Sequence, residues 1–222
     1  SHELTRVELI SDALLEALVP PELVAAHRRR GLTPDHPQLR GSSQNPDVGF
    51  QAREVINPWM EAMPMQLQSV MDQFAALTGR QYKLFDYHGH PQAERVLVLM
   101  GSGCETAMAT ADALNAQGEQ VGLVNVRLFR PFAPQALVAA LPPSTRRIGV
   151  MDRCKEPGSQ AEPLLLDVIA AVQEHWPQPQ RPQVVGGRYG LASKEFTPAM
   201  VKAVYDHLAQ AEPRSHFTVG IH

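Results

Sequence analysis

Arginine and glycine gather in three short runs of this chain: Arg127-Leu128-Phe129-Arg130-Pro131-Phe132, Asp152-Arg153-Cys154-Lys155-Glu156-Pro157-Gly158 and Gly186-Gly187-Arg188-Tyr189-Gly190-Leu191. Each follows an apolar stretch that reads as a strand. Each run therefore belongs at a strand's carboxyl end, where open α/β sheets bind ligands and partners. The planar guanidinium fork suits a phosphate, a carboxylate or another protein domain. Arg127, Arg130, Arg153, Lys155 and Arg188, with Lys194 further on, are the candidates for an interface or an anionic ligand. Surface ion pairs around packed phenylalanines account equally well for Arg127 and Arg130. Acid and base side by side over 152–156 also fit an internal salt-bridge network. No residue is assigned a catalytic role.

Weaker signals lie around these runs. Gly101-Ser102-Gly103-Cys104-Glu105-Thr106 follows a strand and opens a helix, but the dinucleotide fingerprint wants glycine where Thr106 stands. It also wants an acidic residue at the end of the next strand, where Asn125-Val126-Arg127 stands. Arg127 keeps a 2′-phosphate, and so NADP, in play. The competing structural account makes Ser102 and Glu105 a capping box. Cys154 among basic groups would have a lowered pKa if exposed, and is otherwise inert. His88-Gly89-His90 has no third metal ligand at a regular spacing and reads as loop, so no metal is expected. No Gly-x-Ser-x-Gly elbow and no phosphate-binding loop occurs in the sequence.

Composition narrows the classes. The formal charge of −3 and pI near 6.3 are unlike a general nucleic-acid binder. Aromatic residues make up 6%, too few for base-stacking platforms. A hydrophobic share of 44% supports a real core. The 2 cysteines, Cys104 and Cys154, are too few for a disulfide framework and point to a reducing, cytoplasmic setting. No apolar run reaches the roughly 18 residues that span a bilayer, and no signal-peptide pattern is present. The opening Ser1-His2-Glu3, without methionine, is expected of a cut-down piece, a processed product or a tag remnant.

The elements that must position these groups change character near Gly79. Ser11 to Arg30 reads as helix, broken or restarted at Pro20-Pro21, with cations before Gly31 opposing the helix dipole. Leu32 to Gly49 reads as a proline-bearing loop. Leu67, Val70, Met71, Phe74 and Leu77 recur at helical spacing, with Gly79 as the stop. After Tyr82, strands are expected at Val96–Met100, Val121–Val126, Ile148–Met151, Val184–Val185 and Phe217–Ile221. Helices are expected at Gly103–Ala116, Pro134–Leu141, Pro163–His175 and Pro198–Ala209, the last capped by Thr197. This alternation implies an α/β fold with a five-stranded, mostly parallel sheet and helices on both faces. The domains are then 1–79, a helical extension, and 80–222.

The three arginine-bearing runs, Gly49-Phe50-Gln51-Ala52-Arg53-Glu54, Asn57-Pro58, Lys83-Leu84-Phe85-Asp86-Tyr87, Ser193-Lys194-Glu195-Phe196-Thr197-Pro198 and His216-Phe217-Thr218-Val219-Gly220-Ile221 stand in one order. In that order the chain resembles the pyruvate:ferredoxin (flavodoxin) oxidoreductases along its whole length, with Ser1-His2-Glu3 near the end of their first domain. Cys154 stands where the family pattern has threonine. The resemblance implies a transketolase C-terminal-like domain and an internal piece of a larger polypeptide. It implies a parent that oxidises pyruvate with coenzyme A to acetyl-CoA and CO2, reduces ferredoxin or flavodoxin, uses thiamine diphosphate with Mg2+ and iron–sulfur clusters, and works as a cytoplasmic homodimer. It gives this piece a bracing role without cofactor or turnover of its own, partnered by the parent's other domains, with no nucleic acid and no membrane.

Two other readings stay open beside it. One is a self-contained coenzyme A or NADP module built on the Gly101 turn and the arginine edge. The other is the closing domain of a 2-oxoacid dehydrogenase. The first reading carries a structural expectation: Met60, Met63, Leu67, Met71 and Phe74 exceed what a short extension needs, so the residues before Gly79 should show an apolar face that the isolated chain cannot cover.

Overall fold

A computed structural model describes residues 7–177 and 179–221. The chain divides into two compact units whose border falls between Tyr82 and Lys83. The opening run Ser1-His2-Glu3 lies outside the described residues.

The first unit is helical. Ser11 caps α1 (Asp12–Leu18), its hydroxyl accepting from the Leu14 amide, and α2 (Pro21–Arg29) starts on Pro21. His27, Arg28 and Arg29 fill its last turn, where cations oppose the dipole. Helix α3 (Pro46–Glu54) begins inside the segment expected to be loop. The reason is local: Asn45 accepts from the Val48 amide, Pro46 supplies a pre-set φ, and Asp47 is acidic in the first turn. Helix α4 (Asn57–Thr78) runs through Pro64 and stops at Gly79, whose φ of 74° closes the turn. No described residue of this unit is buried. Met60 and Met63 are exposed, while Leu67, Met71 and Phe74 are half-exposed, so the expected apolar face is present.

The second unit is built on a six-stranded sheet: β1 (Phe85–Gly89), β2 (Arg95–Leu99), β3 (Val121–Val126), β4 (Arg147–Asp152), β5 (Gln183–Arg188) and β6 (Phe217–Thr218), in spatial order β1-β3-β2-β4-β5-β6. All neighbours are parallel except β1 and β3. Four helices follow the alternation: α5 (Gly103–Asn115), α6 (Pro134–Ala140), α7 (Pro163–His175) and α8 (Pro198–Ala209). Helix α5 packs with α8, and α6 with α7, one pair on each face. Strand β2 shows why the central strands are apolar throughout. Leu97 and Leu99 join the core under α5 and α8, while Val96 and Val98 are equally buried.

The sheet has one strand more than expected. Strand β1 reads Phe-Asp-Tyr-His-Gly and buries only Phe85 fully, as suits an antiparallel edge strand, so no apolar run announces it. His88 and Gly89 thus lie on a strand rather than in a loop. Its end depends on glycine: a Cβ on Gly89, at φ +137°, would meet the Gly122 Cα at 2.4 Å. Strand β5 also runs further than Val184–Val185, and Gly186, Gly187 and Arg188 are part of it. A Cβ on Gly186 would sit 2.0 Å from Leu165 Cδ2, and one on Gly187 2.4 Å from the Phe217 ring. The paired glycines let α7 and β6 close onto the strand.

Candidate functional site

Strands β2, β3, β4 and β5 end on the same edge of the sheet because they are parallel. Arg127 follows β3, Arg153 follows β4, and Arg188 ends β5. The edge expected from sequence therefore exists. What it holds is a set of cross-braces.

Arg127 reaches Asp86 of β1, Nε to Oδ2, at 2.5 Å. Arg130 pairs with Asp167 of α7 at 2.7 Å and lies 3.9 Å over the Phe129 ring. Arg153 donates from Nε to the Gly190 carbonyl and from Nη1 to the Ser102 hydroxyl, both at 3.1 Å. It thereby ties together the turns after β2, β4 and β5. Arg188 is largely enclosed, its side chain 12% exposed. It donates to Glu162 Oε1 at 3.1 Å, to Thr218 Oγ1 at 3.2 Å and to the His216 carbonyl at 2.7 Å. Lys194 pairs with neighbouring Glu195 at 3.0 Å, and Lys155 is exposed. The six cations do not converge on one point: the arginines each join separate elements.

Two buried carboxylates organise the middle of this edge: Asp152, which the sequence placed at a strand end, and Glu162, which it did not single out. Asp152 ends β4 and receives the Leu164 amide on Oδ1 at 3.1 Å and the Leu165 amide on Oδ2 at 3.2 Å. These are orphan donors of the first turn of α7, so Asp152 clamps that helix start from a distant strand. Burial still pushes its carboxyl above the usual carboxylate range, the two amides opposing and nearby Glu162 and Asp167 assisting. Glu162, just ahead of α7, is 3% exposed and takes its charge partner from Arg188. The sequence signal for both was Glu162-Pro163 opening a helix behind a strand that ends in aspartate.

The glycine turn is not a capping box. Ser102 has helical φ and ψ and makes no side-chain cap bond. Its hydroxyl serves Arg153 instead. Tyr189 covers the same turn, its hydroxyl donating to the Met100 carbonyl at 3.3 Å. A Cβ on Gly103 would lie 2.6 Å from that hydroxyl. A pyrophosphate would have to approach where Tyr189 and Arg153 already pack.

The cysteines are quiet. Cys104 is buried, its Sγ 3.2 Å from Asn125 Oδ1, and burial pushes its thiol up to about 12. Cys154 is also pushed up, by burial first and then by Asp152, Glu156 and Glu162. Its basic sequence neighbours therefore do not activate it, because burial and, after it, the nearby acids disfavour the thiolate. His88 pairs with Asp112 at 2.6 Å, and His90 Nδ1 accepts from the Gln92 amide at 3.1 Å. Among the described residues no group of three potential metal ligands occurs, and no helix is long and apolar enough to cross a membrane.

Comparison with known proteins covers both units. Residues 1–72 match a family model described as pyruvate flavodoxin/ferredoxin oxidoreductase, thiamine diphosphate-binding. Residues 93–201 match one described as pyruvate:ferredoxin oxidoreductase core domain II. The chain is 59% identical to a pyruvate-flavodoxin oxidoreductase of Trichormus variabilis, over 100% of this chain and 19% of that protein. It is 51% identical to the pyruvate:ferredoxin oxidoreductase of Moorella thermoacetica, with the same coverage of 100% and 19%. The chain thus spans about a fifth of the length of these curated relatives. A solved 2-oxoglutarate:ferredoxin oxidoreductase from Magnetococcus marinus superposes on 66% of this chain and 23% of its own, at 17% identity and a TM-score of 0.42, too loosely to carry weight.

Proposed function

The chain belongs to the pyruvate:ferredoxin (flavodoxin) oxidoreductase family, and from that premise we propose that it braces such an enzyme from within. In this reading residues 1–79 extend from the thiamine-binding domain, and residues 80–222 are the second, transketolase C-terminal-like domain. The parent would convert pyruvate and coenzyme A to acetyl-CoA, CO2 and a proton, passing two electrons to ferredoxin or flavodoxin. It would work in the cytoplasm as a homodimer.

The observation that carries the bracing role is the engagement of Arg127, Arg130, Arg153 and Arg188 by acceptors of the protein itself. An edge spent on joining strands, helices and turns is suited to holding a domain in shape. The parent's cofactors would be thiamine diphosphate with Mg2+ and iron–sulfur clusters. An iron–sulfur cluster takes four protein ligands, mostly thiolates. This chain has 2 cysteines, one held against Asn125 and both with raised pKa. These residues do not fit a cluster. What this chain's residues do is hold the sheet edge rigid, with Asp152 and Glu162 fixing the start of α7 and Arg153 fixing three turns.

Calorimetry on the 222-residue chain with coenzyme A, NADPH and thiamine diphosphate tests the reading. No heat of binding is expected from any of the three. Micromolar binding of coenzyme A or NADPH that is lost in Arg127→Ala or Arg153→Ala would replace the brace with a ligand site.

A further inference from the structure

We propose that α4 carries a packing seam, and that its occupant is an apolar helix from the remainder of the thiamine-binding domain of the same polypeptide. The inference rests on the family reading above and assigns a surface to it.

Met60, Met63, Leu67, Val70, Phe74 and Leu77 follow one another at steps of three and four residues along α4. That alternation puts all six on one stripe of a helix and is the spacing by which one helix receives the side chains of another. Most of the stripe is open: Met60, Met63, Val70 and Leu77 are each between 42% and 52% exposed, while Leu67 and Phe74 are partly covered. The helix carries only Glu61 and Asp72 as charges in 22 residues, so it is poorly made for water. At the C-terminal end of the stripe, Leu18 of α1, Val70, Met71, Phe74 and Tyr82 line an open groove of about 280 Å³. Tyr82 is stacked on Phe74 at 5.9 Å and forms one wall. The groove's lining side chains are apolar apart from the tyrosine hydroxyl, so it offers almost no polar group to orient a small ligand and suits the apolar side chains of a protein partner.

Two findings identify that partner. Residues 1–72, which contain most of the stripe, match a thiamine diphosphate-binding domain model. The relatives are about five times as long as this chain, so the polypeptide has the material to cover the stripe in cis. A partner helix crossing α4 at about 20° would keep contact along the whole stripe.

Hydrogen exchange on α4 in the 222-residue chain and in the parent-length polypeptide tests this. The amides of 60–77 are expected to exchange at least about tenfold more slowly in the parent-length protein. Val70→Asp should lower the melting temperature of the 222-residue chain only slightly, because the side chain sits at the groove's rim and is 52% exposed there. In the parent-length protein it should remove the extra protection. Equal exchange in the two proteins overturns the proposal. So does protection in the 222-residue chain that vanishes on dilution, which would assign the stripe to a second copy. A parent-length protein that shows the protection but forms no acetyl-CoA from pyruvate keeps the seam and removes the enzymatic reading.

Discussion

Replacing Arg188 by methionine should destabilise the sheet unit more than any other change at its carboxyl edge. Glu162 is 3% exposed and takes its charge partner from Arg188. Removing that partner leaves a buried carboxylate without a counter-charge, which costs about 3–5 kcal/mol. The His216 carbonyl and the Thr218 hydroxyl lose their donor in the same step. Against a typical domain stability of about 5–15 kcal/mol this is a large fraction, and it corresponds to a fall in melting temperature on the order of 10 °C. Glu162→Gln keeps an acceptor oxygen and loses only the charge, for about 1.5–3 kcal/mol. In the double variant neither member of the pair is left as an unpartnered charge, so its cost should be well below the sum of the two. The readout is urea unfolding followed by fluorescence of Trp176, which is buried beside α7 with its indole donating to the Gln180 carbonyl at 3.1 Å. Exposed Trp59 is first replaced by phenylalanine. If Arg188→Met falls within about 1 kcal/mol of the parent sequence, or if the two single costs simply add, the buried pair is not the brace described here.

Three further outcomes follow from the same geometry. Because the folded-state pKa of Asp152 is raised, its ionisation costs stability that is fully present below the ordinary value of 3.8 and is lost as pH rises through the raised one; melting temperatures across pH should therefore shift in favour of Asp152→Asn, relative to the unaltered chain, as pH rises from 3.8 toward neutral. Gly89→Ala drives a methyl into the Gly122 backbone and should cost about 2 kcal/mol or more, with exchange of the β1 amides accelerating more than that of β4; unchanged β1 exchange would refute the close approach. Iodoacetamide at pH 7 should modify Cys154 more slowly than a free cysteine peptide and leave Cys104 unmodified until the chain unfolds; fast labelling of Cys154 would mean that burial and the acids around it do not hold its thiol protonated.

Much of the architecture was legible because it is written in local patterns. Pro163 and Pro198 mark helix starts, Gly79 marks a stop, and the apolar runs at Val96, Val121 and Ile148 mark strands buried on both faces. Those signals act over a few residues, and alternation of strand and helix then leaves few topologies to choose from. The ordered motifs were likewise enough to reach the family. Strand β1 was not legible, since an edge strand with one buried side chain needs no apolar run. Its place is decided by the backbone of β3, against which Gly89 lies. The capping box failed for a related reason: Ser102 and Glu105 have the right spacing, but Arg153, 51 residues away, claims the serine hydroxyl.

The candidate site divides along the same line. Sequence alone determined that arginines stand at the ends of successive parallel strands, because strand ends and residue types are both local facts. Only the tertiary structure decided what those arginines do. Apart from the Phe129 carbonyl beside Arg130, their acceptors include Asp86, Asp167, Glu162, Ser102 and Gly190, between 26 and 51 residues away along the chain. Such a contact is set by distance in space, and residue spacing carries no record of which distant carboxylate, hydroxyl or carbonyl the fold will bring within hydrogen-bonding reach.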